Sequence, residues 1–569
     1  MKNFFRAVTL FSFAVVGLTT APSLLAQGSS SAKYKGSPDL PSSGSMTPVD
    51  VIIQFNTPPS NSQFQTFSSY GQVQHQFVHV NAIHATIPAA FIPFIEALPF
   101  VKYVSLNRVN SRMLDITTAS VNANEVWASG YDGSGIGVAV IDSGVYQHPD
   151  LSTRNGTGSR IVYSQSFLTG LNASDQYGHG THVAGIVASN ATDSTGPEFS
   201  RSYKGVAPNA NIINLRVLDA NGDGTDSGVI AAIDEAIALK NTYNIRVINL
   251  SLGRPVYESY TLDPLCQAVE AAWKAGIVVV AAAGNYGRTT SQNTNGYGTI
   301  VAPGNDPYVI TVGAMNAMGT PSISDDIVAS YSSKGPTAFD HLVKPDLVAP
   351  GNGVVSLMAP NSTLATQYPS VLVPASDYEP GATGMSSTYM KLSGTSMATP
   401  VVSGTVALML EQNPSLNPDQ VKARLMKTAV KNFSLYSTAY DSFTQAAFQN
   451  QSDIFTVGAG YLNAQAATLN TDVATLPAMS PLATFVASFD VTMNRNFSLV
   501  WGSSVVWGDT AVYGAQVFKA VMNGASVVWG DSVVWGDTVI TGNSVVWGDS
   551  VLAGTSIQAL DVGDGDSSQ

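Results

Sequence analysis

Ile136-Gly-Val-Ala-Val-Ile-Asp142-Ser-Gly144 is an unbroken apolar run that ends on a carboxylate and a glycine turn. A strand with one wet face alternates polar and apolar residues. This one is apolar on both sides, so both of its faces must be covered. Four more runs have the same character: Ile212–Leu218, Arg246–Leu250, Ile277–Ala283 and Tyr308–Val312. Between them lie stretches of helical spacing, Gly180–Ala188, Ser227–Leu239 and Pro264–Ala275, and another helix begins near Ser396. Buried strands alternating with amphipathic helices predict an α/β fold, a parallel doubly wound sheet with helices on both faces. In such sheets the working residues gather at the carboxyl ends of the strands.

The rest of the composition agrees with a folded chain. Of 569 residues 44% are hydrophobic and only 11% charged, which excludes general disorder. Against 26 Lys and Arg stand 39 Asp and Glu, a net charge of −13, so nucleic acid is not expected as a partner. A single cysteine, Cys266, excludes an intramolecular disulfide. It falls on the apolar face of a predicted helix, where a buried, inert thiol is expected.

Upstream, Lys2 and Arg6 precede the apolar stretch Ala7–Leu18 and a small-residue exit at Ala26, the layout of a secretory leader over residues 1–26. The apolar stretch is shorter than a membrane span needs, so no transmembrane segment is expected in the mature protein, which is read as secreted and extracellular. Residues 27–47 are rich in Ser, Gly and Pro and read as a linker. Residues 48–110 mix short apolar strands with one helical stretch, the pattern of a small α+β domain. The α/β unit follows over 111–470.

Three polar residues stand where buried elements begin or end. Asp142 closes the first strand. His179 sits in Gly178-His179-Gly-Thr-His182 at a helix start, and Ser396 in Ser393-Gly-Thr-Ser396-Met-Ala-Thr-Pro400 at another. An aspartate, a histidine and a serine are the set that makes a hydroxyl nucleophilic. Singly, each has an ordinary reading as a cap or loop residue. Together, in this order, the blocks resemble those of the subtilisin-like serine endopeptidases, over about Val126 to Ala467. That resemblance implies Asp142 as orienting residue, His179 as general base and Ser396 as nucleophile. It also implies Asn285, in Ala281-Ala-Ala-Gly-Asn285, as oxyanion donor. His148 and His182 are read as structural.

The same resemblance implies two walls of a substrate pocket, Ser251-Leu252-Gly253 and Ala282-Ala-Gly284, with Val301 at its floor and an edge segment containing Gly222 and Gly224. Polypeptides read by their backbone, with broad specificity, are the implied substrates. Asp219, Asn221, Asp223 and Gly224 also match the opening of a calcium loop, but Ile230 stands where its closing Glu belongs, so the edge reading is preferred. No cofactor is expected to be required, and structural calcium stays open and unassigned. Residues 48–110 resemble the family's propeptide, an intramolecular inhibitor that also guides folding. Cleavage is expected within Val109–Thr118. The long segment Asn352–Ser393 is expected to border the cleft on its primed side or cover it.

Within 471–569, Val-Val-Trp-Gly-Asp recurs from Val505, Val527, Val533 and Val545, an even period that predicts a β-type repeat tail for attachment to a cell surface or polymer. An alternative from another class follows from it: a catalytically silent surface-binding protein working through the repeats.

Overall fold

A computed structural model describes residues 35–36, 40, 46–77, 81–107, 109–112, 117–289, 296–441, 446–485, 491–494, 525–526, 540–541 and 565–567. The expected leader lies outside them, and so does the hexad tail except for one short strand pair.

The N-terminal domain runs β1 (Pro48–Phe55), α1 (Asn61–Ser68), β2 (Gln72–Gln76), β3 (Ala82–Pro88), α2 (Ile92–Glu96) and β4 (Val101–Leu106), with sheet order β2-β3-β1-β4. Val51, Ile53 and Phe55 alternate inward from β1 onto Phe67 of α1 and Ile92 and Ile95 of α2, closing a small core. The expected linker is partly docked on it. Val104 N–H donates to the Lys35 carbonyl (2.6 Å), and Leu40 packs on the same core.

β5 (Val109–Arg112) leaves this domain for the large one. There follow α3 (Ala123–Ala128), β6 (Gly137–Asp142), β7 (Ile161–Ser166), α4 (His179–Ala188), β8 (Asn211–Arg216), β9 (Gly224–Thr225) and α5 (Asp226–Ala238). Next come β10 (Ile245–Leu250), β11 (Leu252–Gly253), α6 (Pro264–Lys274), β12 (Val278–Ala282), β13 (Ile310–Asn316), β14 (Ile327–Val328) and β15 (Leu347–Pro350). The main sheet is ordered β14-β13-β12-β10-β6-β8-β7, with β15 parallel to β13 and only β14 antiparallel. Strand β13 starts later than the apolar run predicts, because Asp306 accepts the Tyr308 N–H and folds Pro307–Tyr308 into a turn.

The chain continues as β16 (Val354–Leu357), α7 (Thr363–Gln367), β17 (Leu372–Pro374), β18 (Met385–Leu392), α8 (Thr395–Gln412), α9 (Pro418–Thr428), β19 (Tyr436–Tyr440), β20 (Ala447–Gln451) and α10 (Ala464–Leu469). Helix α8 is buried from Thr395 through Leu410, and packs on α4 and on β10, β12, β13 and β15. A helix covered all round needs no polar face, and the buried hydroxyls of Thr399, Ser403 and Thr405 are bonded to Thr395, Asn249 and Val401. Helices α5 and α6 pack on each other and on β6, β10 and β12. No helix among the described residues is long and apolar enough to cross a membrane.

The large unit does not close at residue 470. Ala474 and Ala478 bury against Ala423 of α9, and Val343 N–H donates to the Pro481 carbonyl. Ser480 Oγ donates to Asp346 (2.5 Å) inside a buried cluster that also holds Lys344 and Lys422. Two short pairs lie beyond, β21 (Leu482–Phe485) with β22 (Val491–Asn494), and β23 (Ala525–Ser526) with β24 (Ile540–Thr541).

Candidate active site

The carboxyl end of β6 delivers Asp142, and α4 begins at His179. Their side chains meet: Nδ1 of His179 lies 2.7 Å from Oδ1 of Asp142, both residues fully buried. Asp142 Oδ1 also accepts the Ser143 N–H, which leaves its Oδ2 buried without a hydrogen-bond partner among the described residues. The approach of α4 to this strand depends on Gly180, where a Cβ would stand 2.2 Å from the Gly144 carbonyl oxygen.

A second carboxylate fixes that helix start, and no sequence motif announces it. Asp175 accepts from Gly178 N–H (2.7 Å), Thr181 N–H (2.8 Å) and the Ser143 hydroxyl (2.9 Å), while Ser143 Oγ accepts the Gly180 N–H. Free N–H groups at a helix start favour an anion there. Burial pushes the Asp175 carboxyl up, against these hydrogen bonds, which pull it down.

Helix α8 packs on α4 and begins one residue before Ser396. The Ser396 hydroxyl donates to the Ser251 carbonyl (2.9 Å), and the Ser251 hydroxyl donates to the Ser396 carbonyl (2.7 Å). Asn285 lies just past β12. Its Oδ1 accepts from the Thr395 N–H (2.9 Å) and hydroxyl (3.1 Å), so the amide nitrogen faces away from Thr395. Val301 lies between the two pocket walls: a Cβ on Gly253 would stand 2.5 Å from Val301 Cγ2, and one on Gly284 3.1 Å from Cγ1. Val301 and Ala282 bury together against Tyr286.

A strand lies between the wall at Leu252–Gly253 and the edge segment. β5 is the middle member of a three-stranded antiparallel sheet, β11-β5-β9. Ser111 and Arg112 pair with Gly253 and Leu252, and Val109 and Asn110 pair with Thr225 and Gly224. The edge segment thus supplies β9, and Gly222 lies in the turn before it, where Asp219 Oδ1 accepts the N–H groups of Asn221 and Asp223. The domain that β5 belongs to is fastened nearby, since Asn107 Oδ1 accepts the Ser227 N–H (2.7 Å) and Gln267 donates to Gln54 (2.7 Å).

Arg254, directly after β11, is a residue the motif reading missed. It is buried, donating from Nε to Asp226 (3.0 Å) and from Nη2 to Asp263 (2.7 Å). Asp226 opens α5 directly after β9, and Asp263 caps α6. One guanidinium therefore ties the wall at Gly253 to the edge at Thr225. An arginine beside a glycine at a strand end carries no signature that would have marked it.

The segment 352–393 departs from its expected place. β16, β18 and β17 form a small sheet against α4, and Thr363 Oγ1 donates to the Ala220 carbonyl (2.7 Å). That contact is with the edge segment, which pairs with Val109 and Asn110, the upstream part of the bound strand. This segment, a flap, thus lies beside the edge segment, toward the upstream end of β5.

Among the described residues His148, Asp150 and Asp193 come close enough together to share an ion. They do not fit one. Asp150 Oδ1 accepts the Asp193 N–H (2.7 Å) and Oδ2 accepts the Tyr389 hydroxyl (2.7 Å), while His148 Nδ1 accepts the Asp150 N–H (3.1 Å). Hydrogen-bond donors already occupy these oxygens, so no calcium is assigned here. Cys266 is buried and donates to Asn305, and burial pushes its thiol up.

His182 lies one turn beyond His179, with Nε2 3.3 Å from the Val354 carbonyl and 3.2 Å from that of Met390. Burial, then the neighbouring His179, holds its pKa down to about 3, against an ordinary 6.5. The folded state thus prefers neutral His182, and the stability this contributes is lost as pH falls from 6.5 toward 3, at about 1.4 kcal/mol per pH unit. His182→Gln is expected to flatten the acid limb of stability against pH between 6 and 4. Unfolding midpoints at half-unit steps check it, and parallel curves would refute it.

A family model described as the subtilase family of peptidases matches residues 133–460. The chain is 37% identical to the serine protease AprX of Bacillus subtilis over 66% of this chain and 82% of that one. It is 35% identical to subtilisin E of the same species over 63% and 78%. In fold it is similar to fervidolysin from Fervidobacterium pennivorans, a keratinolytic enzyme related to subtilisin, with a TM-score of 0.53 and 21% identity. That likeness covers 78% of this chain and 63% of fervidolysin.

Proposed function

Because this chain belongs to the subtilase family and is a serine endopeptidase, we propose that it is exported as a self-inhibited precursor and cuts polypeptides through an acyl-enzyme. His179 takes the proton of Ser396 Oγ as that oxygen attacks the scissile carbonyl. Asp142, bonded to Nδ1, keeps the accepting nitrogen on the far side of the ring and balances the imidazolium charge. The oxyanion is met by the Asn285 amide, which Thr395 turns toward the cleft, and by the Ser396 N–H at the start of α8. His179 then protonates the leaving amine, and water repeats the sequence to release the acid.

The observation that carries this reading is β5 seated between the wall at Leu252–Gly253 and the edge segment at Gly224–Thr225, as a substrate would be. Main-chain pairing on both sides reads extended backbone rather than side chains, which supports broad specificity. Residues 48–112 would then be the inhibitor. The antiparallel register puts Arg112 opposite Leu252, one residue short of Ser251, whose carbonyl accepts from the Ser396 hydroxyl. Cleavage is expected at Met113–Leu114. The leader-like residues 1–26 support export. The processed chain should hydrolyse casein, and Ser396→Ala should not. Equal background rates in both would overturn the reading.

Val301 should set the P1 preference. Its branched side chain fills the space between Gly253 and Gly284, which suits small or slender apolar residues. Val301→Gly is expected to raise kcat/KM for P1 Phe over P1 Ala by about 1–3 kcal/mol, roughly 10–200-fold. An unchanged ratio would remove Val301 from the pocket floor.

A further inference from the structure

Residues 565–567, close to the carboxyl end of the chain, lie in a polar slot of the large unit. Asp566 is buried. Its carboxylate accepts the Ser330 N–H (2.7 Å) and hydroxyl (2.5 Å) and an N–H of Arg288 (3.0 Å). Its backbone is read in both directions by one side chain, since Asp566 N–H donates to Asn352 Oδ1 (2.7 Å) and Asn352 Nδ2 donates to the Asp566 carbonyl (2.8 Å). Ser567 N–H donates to the Tyr440 carbonyl (2.8 Å), and Asn316 donates to the Ser567 carbonyl (3.1 Å). Gly565 is pressed so close that a Cβ would stand 2.1 Å from Ser393 Oγ and 2.8 Å from Asn352 Oδ1.

We propose that this slot is an intramolecular docking site for a Gly-Asp-Ser segment, and that its occupant is the chain's own residues 565–567. Two side-chain requirements can be read separately. Glycine is needed because nothing larger fits against Ser393. Aspartate is needed because a short carboxylate reaches Ser330 and Arg288 at once. The serine is held by its main chain alone, apart from a 3.4 Å contact of its hydroxyl with the Tyr440 carbonyl. Arg288 is also paired with Asp441 at the end of the β19–β20 hairpin, so the seated segment joins that hairpin to the loops at 285–289, 328–332 and 351–353.

The consequence is topological. Ala474, Ala478 and Ala483 are held on the same unit, so the span from there to Gly565, which contains the Val-Val-Trp-Gly-Asp repeats, is tethered at both ends. Docking is intramolecular while this span is whole, with an effective concentration on the order of millimolar, and becomes bimolecular if it is nicked.

The test uses the full chain carrying Ser396→Ala, so that the readout is independent of peptidase activity. Hydrogen exchange is followed at the Ser330 amide, which Asp566 protects. Asp566→Ala and Gly565→Ala are each expected to speed exchange there at least tenfold, while Asp561→Ala leaves it unchanged. In a chain ending at Asp564, a synthetic peptide of residues 563–569 should restore protection at millimolar concentration, and the same peptide with alanine for Asp566 should not. Unchanged exchange in Asp566→Ala, or a wild-type peptide that restores nothing, overturns the proposal. Loss of casein hydrolysis has no bearing on either result.

Discussion

A Ser396→Ala chain is expected to remain joined through Met113–Leu114, with residues 48–112 still seated in the cleft. The unaltered chain should begin at Leu114 after processing. β5 pairs residue by residue with Leu252 and Gly253 on one side and Gly224 and Thr225 on the other, and its last paired residue, Arg112, stops one position short of Ser251, whose carbonyl holds the Ser396 hydroxyl. Removing the nucleophile should lower kcat by about 10⁶-fold, a magnitude taken from subtilisin, a member of the same family, and leave only what binding and the oxyanion donors supply. N-terminal sequencing of both chains checks the cut. A new terminus outside 113–115 would displace the register argument, and processing of the alanine variant in isolation would displace Ser396.

Arg254→Met is expected to lower folding stability by about 3–5 kcal/mol, the cost of leaving buried charge without its partner. The guanidinium stands between Asp226 and Asp263, and both carboxylates are fully buried. With methionine in its place the two would face each other across an apolar chain. Because the same group spaces the wall at Gly253 from the edge at Thr225, KM for long peptides should rise more than KM for short ones. A merely structural loss would not divide them. Replacing Asp226 and Asp263 by Asn in the Arg254→Met background should recover part of the stability. An unfolding free energy lowered by less than about 1 kcal/mol would show that Arg254 does not bridge Asp226 and Asp263 in solution.

The sheet was legible because its strands are buried on both faces. An unbroken run such as Val138–Ile141 has few other places to go, and the helices between the runs reveal themselves by spacing. Asp142, His179 and Ser396 could be picked out because polar residues at the ends of apolar elements conflict with their surroundings. Arg254 and Asp175 have no such contrast. They lie in polar stretches, and their burial depends on partners distant in sequence, Asp226 and Asp263 for one, Ser143 and Thr181 for the other. The boundary placed at 470 failed for the same reason. Ser480 looks like part of a loose Pro- and Ala-rich stretch until Lys422 and Asp346 are seen to close on it. The flap was given the wrong side because its length shows in the sequence but its direction does not, and a contact as small as Thr363 with Ala220 decides it.

Seating β5 by main-chain pairing has a bearing on reaction order. If residues 48–112 are the inhibitor proposed above, then while the chain is whole β5 is held at a concentration its own tether sets, whatever the protein concentration outside. Once Met113–Leu114 is cut, the N-terminal domain becomes a separate molecule, retained by those pairings, by the contacts of Asn107 and Gln54, and by Ile52, Phe77 and Ala82, which bury in the large unit's core. Its occupancy then obeys mass action. In a crowded culture the cut enzyme rebinds what it has shed, and in open medium it does not. Onset of activity should therefore depend on volume more than on time, with the lag shortening on dilution until the released domain is itself digested.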